Sequence, residues 1–235
     1  MPTLEMALQR GNDSSTPIYE LVTGPEMVNV FVGGRKHFYV HKRLLLERGG
    51  PFFEAILNRL RQSIVNIIQL PDEEPTTFGL FLLWLFGSPL PRPLTYQACL
   101  DLSYLWIFAN KICITDLKDA AIDEIVDGYW HIRTKKKNSD CMLPKMKDVA
   151  EIHRKTNDSS QLRRLYFDIV VYNAAFIATR EDFDQEKTLK DIFRYGGDLP
   201  ADLALKFIQA FSSRENNPLE WPRSGRYHEH RTLPR

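Results

Sequence analysis

The sequence predicts an α+β protein, a small sheet capped by helices and followed by an all-α extension, and three observations carry that reading. VNVFV (Val28 to Val32) alternates valines on one face with Asn29 and Phe31 on the other, and Gly33-Gly34 then leads into RKHFYV, the pattern of a tight hairpin. VNIIQL (Val65 to Leu70), closed by Pro71, reads as a third strand. The remaining apolar segments recur at helical rather than alternating spacing.

Taken in order, residues 1–25 are polar and carry Gly11, Pro17, Gly24 and Pro25, so they read as a disordered, mobile lead-in. After the hairpin, HKRLLLER forms one short helix that Gly49-Gly50 breaks. Pro51 suits the first turn of the next, PFFEAILNRL, where Phe53, Ile56, Leu57 and Leu60 share a face. DEEPTTFGLFLLWLFG follows as a helix opened by Asp72, Glu73 and Glu74, where the helix dipole favours carboxylates.

That helix is apolar nearly all round. Phe78, Phe81, Leu82 and Leu85 make one stripe and Leu80, Leu83 and Trp84 a second, so it lies in a core or turns one side to a partner. Core is the expected place of Leu80, Leu83, Trp84 and Phe86, and Trp106 and Phe108 share the ambiguity. PLPRPL separates this helix from one over about Tyr96 to Lys111, and Thr115 caps another running towards Trp130. KKKNSD marks a solvated boundary. Beyond it, Leu162 to Phe176 and Ala201 to Phe211 are amphipathic, the second with Ala204, Phe207, Ile208 and Phe211 on its apolar side. The tail from Ser212 lacks periodicity and reads as disordered. The expected organisation is therefore a lead-in over 1–25, a domain over 26–133, a linker over 134–143, a helical extension over 144–211 and a tail over 212–235.

Charge and cysteines narrow the function. Lys and Arg number 31 against 30 Asp and Glu, so no overall field steers the chain to nucleic acid or an anionic membrane. Cys99, Cys113 and Cys141 form no CxxC pair, which fits reduced thiols in an intracellular protein, cytoplasmic or nuclear. The longest apolar run, Leu80 to Phe86, is far short of the roughly 20 residues of a membrane span. No GxSxG elbow accompanies His41, so catalysis is not expected, and His228 and His230 lack the further ligands of a metal site.

The hairpin, VHKRLLL, the PFFEAIL helix, the IIQLPDEEPTTF step and FLLWLFG, in this order over about Met27 to Ile132, resemble the BTB/POZ family. HRKTNDSSQLRRLYFDIVVY, from His153, is similar to the short helical extension that follows this domain in many filamentous-fungal BTB proteins. The resemblance implies a BTB/POZ fold and a non-enzymatic scaffold for protein–protein interaction. Its expected partners are further copies of itself, other BTB proteins, a corepressor or a cullin ubiquitin ligase, with no cofactor, metal, nucleic acid or small-molecule substrate.

The same resemblance supplies site expectations. His41 is a structural junction between strand and helix. Lys42 and Arg43 are expected in solvent. Family members pair a basic residue here with an Asp just before the first strand; Met27 stands at that position, which weakens the expectation of a charged pocket. Leu44, Leu45, Phe53 and Trp84 are candidates for protein interaction, with at least two of Leu44, Leu45 and Leu46 expected in the core. Leu60, Arg61, Gln62 and Ser63 occupy the cullin-binding motif, where Gln62 replaces a Glu and forfeits the charge-assisted bond. Residues 1–25 offer no convincing strand and helix for a strand-swapped dimer.

Overall fold

The computed structural model describes residues 17–23, 25–60, 67–135, 144–172, 190, 192–213 and 227–229. These comprise α1 (Ile18–Leu21), β1 (Met27–Val32), β2 (Lys36–His41), α2 (Lys42–Arg48), α3 (Gly50–Leu60), β3 (Ile67–Leu70), α4 (Pro75–Leu85), α5 (Tyr96–Lys111), α6 (Thr115–Lys135), α7 (Met146–Lys155), α8 (Gln161–Tyr172) and α9 (Leu199–Ser213). The α+β class is as expected. Among the described residues no helix is long and apolar enough to cross a membrane.

Two compact units are interleaved in the sequence. The first takes residues 1–91 and 104–121, the second residues 92–103 and 122–235, so both α5 and α6 are divided between them.

In the first unit the three strands stand in the order β2-β1-β3, with β1 antiparallel to β2 and parallel to β3. Gly33 and Gly34 both take left-handed φ, 61° and 63°, as the hairpin pattern requires. The alternation sorts the faces: Val28, Val30, Val32, Val40, Ile68 and Leu70 are buried, while Met27, Tyr39 and Ile67 are exposed on the other side. The buried face meets helices carrying a cluster of rings. Phe81 of α4 has its centroid 5.5 Å from each of Phe53, Phe78 and Phe108, and Phe38 meets Phe78 edge-on at 5.0 Å. Leu44, Leu45 and Leu57 complete this core.

Three expectations need correction here. The lead-in is not wholly without structure, because α1 forms one helical turn and Leu21 is fully buried. Glu74 occupies the N-cap of α4 with Pro75 behind it, so the three carboxylates precede the helix and none lies in its first turn. The second stripe of α4 is not core: Leu83 and Phe86 are exposed and Leu80 and Trp84 are half-buried, because the rings of Phe78 and Phe81 already fill the inward side. Trp106 and Phe108, in contrast, are buried.

The second unit is helical and rests on polar ties inside an apolar core. The Tyr96 hydroxyl donates to Asp148 Oδ2 at 2.6 Å and accepts from the Lys145 amide at 3.0 Å. Ser103 and Tyr166 share a hydroxyl hydrogen bond of 2.7 Å, and Tyr129 packs edge-on against both Tyr96 and Tyr166. Arg163 fastens the turn between α7 and α8 by donating to the carbonyls of His153 and Thr156 and to Asp158. The inward row of α9 is Leu199, Leu203, Lys206 and Ala210, so Ile208, expected inside, is 65 % exposed. The rotation has a cause: Lys206 Nζ lies 2.7 Å from Asp168 Oδ1 on α8, and turning that cation inward turns Leu205 and Ile208 out.

Gly128 of α6 is tightly enclosed. A Cβ there would lie 2.3 Å from Pro93 Cγ and 2.8 Å from Cys99 Sγ. Gly128→Ala is expected to lose about 1–3 kcal/mol through overpacking, read as a lower denaturant midpoint. An unchanged midpoint would mean that Pro93 yields freely.

Candidate functional site

A strand that runs directly into a helix leaves the first turn of that helix at the surface with its amides pointing outward. His41 ends β2 in an extended conformation, φ −61° and ψ 125°, and occupies the N-cap of α2 without capping it by its side chain. The basic pair that follows therefore sits at the positive end of a helix, where a cation needs compensation. Glu26, the residue just before β1, supplies it. Its carboxylate is 2.9 Å from Lys42 Nζ, and its carbonyl accepts the Lys42 amide at 3.0 Å. Arg43 is held by Glu47 one turn along at 3.1 Å and donates to the Glu20 carbonyl.

These residues line an open pocket of about 480 Å³ bounded by Leu21, Pro25, Glu26, His41, Lys42, Arg43 and Leu46. α1 forms one wall through Leu21, and Ile18 on the same turn lies against Gly87 just past α4, where a side chain would collide with it. The pocket thus combines leucine surface with both signs of charge. Its chemistry suits the grip of a peptide segment: Glu26 can take a cation and Arg43, which stays half in solvent, a carboxylate. No Ser, Thr or Cys is among the described residues that line it.

The acidic partner of Lys42 is the correction that matters most. Met27 stands in the strand, and the carboxylate that pairs with Lys42 is that of Glu26, one residue earlier. Lys42 is consequently drawn in, its side chain 19 % exposed, whereas Arg43 stays 53 % exposed as expected. The pair positions the pocket wall more than it stabilises the fold, since partly solvated ion pairs contribute about 0–1 kcal/mol.

The other candidate residues are dispersed. Leu44, Leu45 and Phe53 are fully buried in the core of the first unit and offer no surface to a partner; of the three leucines, Leu46 faces the pocket. Trp84 is half-buried on α4 and Leu60 half-buried at the end of α3. Arg61, Gln62 and Ser63 lie outside the described residues. Cys99 is buried, and desolvation pushes its thiol up to about 12, whereas Cys113 is an exposed free thiol. Cys141 falls outside the described residues. Among the described residues no group of three or more His, Cys, Asp or Glu side chains is placed to hold a metal ion.

No protein-family model matches the chain, and no curated protein matches it either.

Proposed function

We propose that the chain is a non-enzymatic protein–protein interaction module of the BTB type, an intracellular scaffold that takes a partner's peptide segment at the pocket between α1 and the β2–α2 junction. The observation that carries the reading is the Glu26–Lys42 pair at 2.9 Å beside the leucine wall of that pocket. It restores the charged feature that Met27 alone would deny, and so favours the corepressor-contacting form of this function over the cullin-adaptor form, whose motif centres on Gln62. The element order adds support: a hairpin, a His-Lys junction, a helix with Phe52-Phe53, a third strand and an aromatic-rich helix follow one another as the resemblance implies.

The test is affinity purification from cells that naturally make the protein, followed by mass spectrometry, on wild type, Glu26→Lys and the swap Glu26→Lys/Lys42→Glu. The expected result is a set of partners lost with the single change and regained with the swap, at unchanged thermal stability. Partners indifferent to both changes would remove the pocket from the interface. Recovery of a cullin, enriched by Gln62→Glu, would turn the assignment to a ligase adaptor.

A further inference from the structure

The tail from Ser212, which the sequence presents as featureless, holds one anchored stretch. Tyr227 is fully buried in the second unit, and its hydroxyl donates to Asp168 Oδ2 of α8 at 2.9 Å. Asp168 is itself 5 % exposed and is paired through its other oxygen with Lys206 of α9, close in distance though not aligned as a hydrogen bond. The next residue, His228, places Nε2 2.8 Å from Asp123 Oδ1 on α6. Two successive side chains therefore meet two carboxylates from two helices, while a third helix supplies the counter-cation.

Three features separate this arrangement from a simple end-anchor. Its floor is built without the tail, since Lys206 already compensates Asp168 and turns α9 inward to do so. The Tyr227–Asp168 and His228–Asp123 hydrogen bonds are both made between side chains, so they depend on residue identity. And what it reads is specific: a ring small enough for a closed slot, a hydroxyl donor at the ring's far end, then an imidazole facing an acid.

We propose that the second unit is a peptide-recognition module whose socket, formed by Asp168, Lys206 and Asp123, takes a Tyr-His segment of a partner protein, and that Tyr227-His228 is its resident competitor. A tethered occupant acts at an effective concentration of millimolar order, so a partner segment must bind well or arrive when the tail is displaced. This assignment is independent of the pocket at Glu26 and Lys42, which belongs to the first unit.

The experiment uses the full chain carrying Tyr227→Ala, which empties the slot, and a fluorescein-labelled peptide of residues 221–235 followed by anisotropy. Saturable binding is expected, weakened about tenfold when the peptide carries Tyr227→Phe, because the lost hydroxyl leaves a buried carboxylate short of a donor. Wild-type chain is expected to bind the same peptide at least tenfold more weakly than the variant does. Absence of saturable binding, or equal binding of the Tyr and Phe peptides, overturns the proposal. If circular dichroism shows Tyr227→Ala unfolded, native-state hydrogen exchange of wild type decides instead. Opening of residues 227–229 well below the free energy of global unfolding supports a displaceable occupant, and exchange through global unfolding alone makes Tyr227 a permanent part of the core. A wild-type mass that doubles with concentration and returns to monomer in Tyr227→Ala assigns the socket to the tail of a second copy and overturns the partner assignment.

Discussion

Phe81→Ala is expected to cost the first unit about 3–5 kcal/mol, the range for deleting a buried aromatic ring. The loss concentrates at this position because Phe81 is the hub of the cluster: Phe53 stacks on it within 9° of parallel, Phe108 meets it edge-on, and Phe78 lies tilted beside it, all at 5.5 Å. Removal leaves three rings facing a void, and edge or stacked pairs add about 0.5–1.5 kcal/mol each beyond the area they bury. Since domains of this kind are stable by only about 5–15 kcal/mol, urea unfolding should show either a sharply lowered midpoint or no folded baseline. Phe81→Leu, which keeps most of the volume, should recover more than half the loss. A midpoint for Phe81→Ala within about 1 kcal/mol of wild type would contradict the burial described above.

The second large effect is a collapse of the second unit in alkali. Desolvation raises the pKa of Tyr96, Tyr129 and Tyr166 above their ordinary 10.0, and that of Cys99 from 9.0 to about 12. Each of these acids holds its proton more tightly folded than unfolded. Its contribution is therefore complete below the ordinary value and is lost as pH climbs from there through the folded value, at up to about 1.4 kcal/mol per group per pH unit. Near neutrality nothing changes. By pH 11 all four groups withdraw stability together, against the small reserve of a domain. Following helical circular dichroism and phenolate absorbance together from pH 8 to 12 should show the buried tyrosines ionising in one cooperative step with loss of helix. Smooth ionisation of every tyrosine with the helical signal intact would count against the buried hydroxyl network.

How much of this was legible beforehand depends on whether a segment's signal is local. The hairpin, β3 and the helices from α2 to α6 follow from alternation, from 3.6-residue spacing and from Gly and Pro at their ends, all of which act over a few residues. The turn of α1 does not: four residues of helix in a polar stretch have no periodicity to read, and Leu21 is fixed by tertiary burial alone. α7 carries a signal in Met146, Val149 and Ile152, all buried, but the charged boundary directly before it masks that periodicity. The inward face of α9 departs from the sequence pattern because hydrophobicity ranks Ile208 above Lys206, whereas a buried carboxylate on a neighbouring helix reverses the order.

The candidate pocket shows the same division. His41, Lys42 and Arg43 announce a junction in the sequence. The Lys42 partner, Glu26, lies 16 positions earlier by numbering, and only the antiparallel register, which sets Met27 against His41, brings the two together. Tyr227 was beyond reach altogether, since a single aromatic residue in an aperiodic tail has meaning only once Asp168 and Lys206 are in place.

The division of α5 and α6 between the two units has a practical side for anyone who cuts this chain. A fragment over residues 26–133 keeps Cys99, Ser103 and Tyr129 yet discards Tyr166, to which both the Ser103 and the Tyr129 hydroxyls are joined. A fragment starting at residue 144 has the opposite fault, retaining Tyr166 and Asp148 without the hydroxyls that face them. No single cut yields two self-sufficient halves. Insolubility of either piece on its own would be a matter of where the scissors fell, and binding studies on this protein should begin from the intact polypeptide.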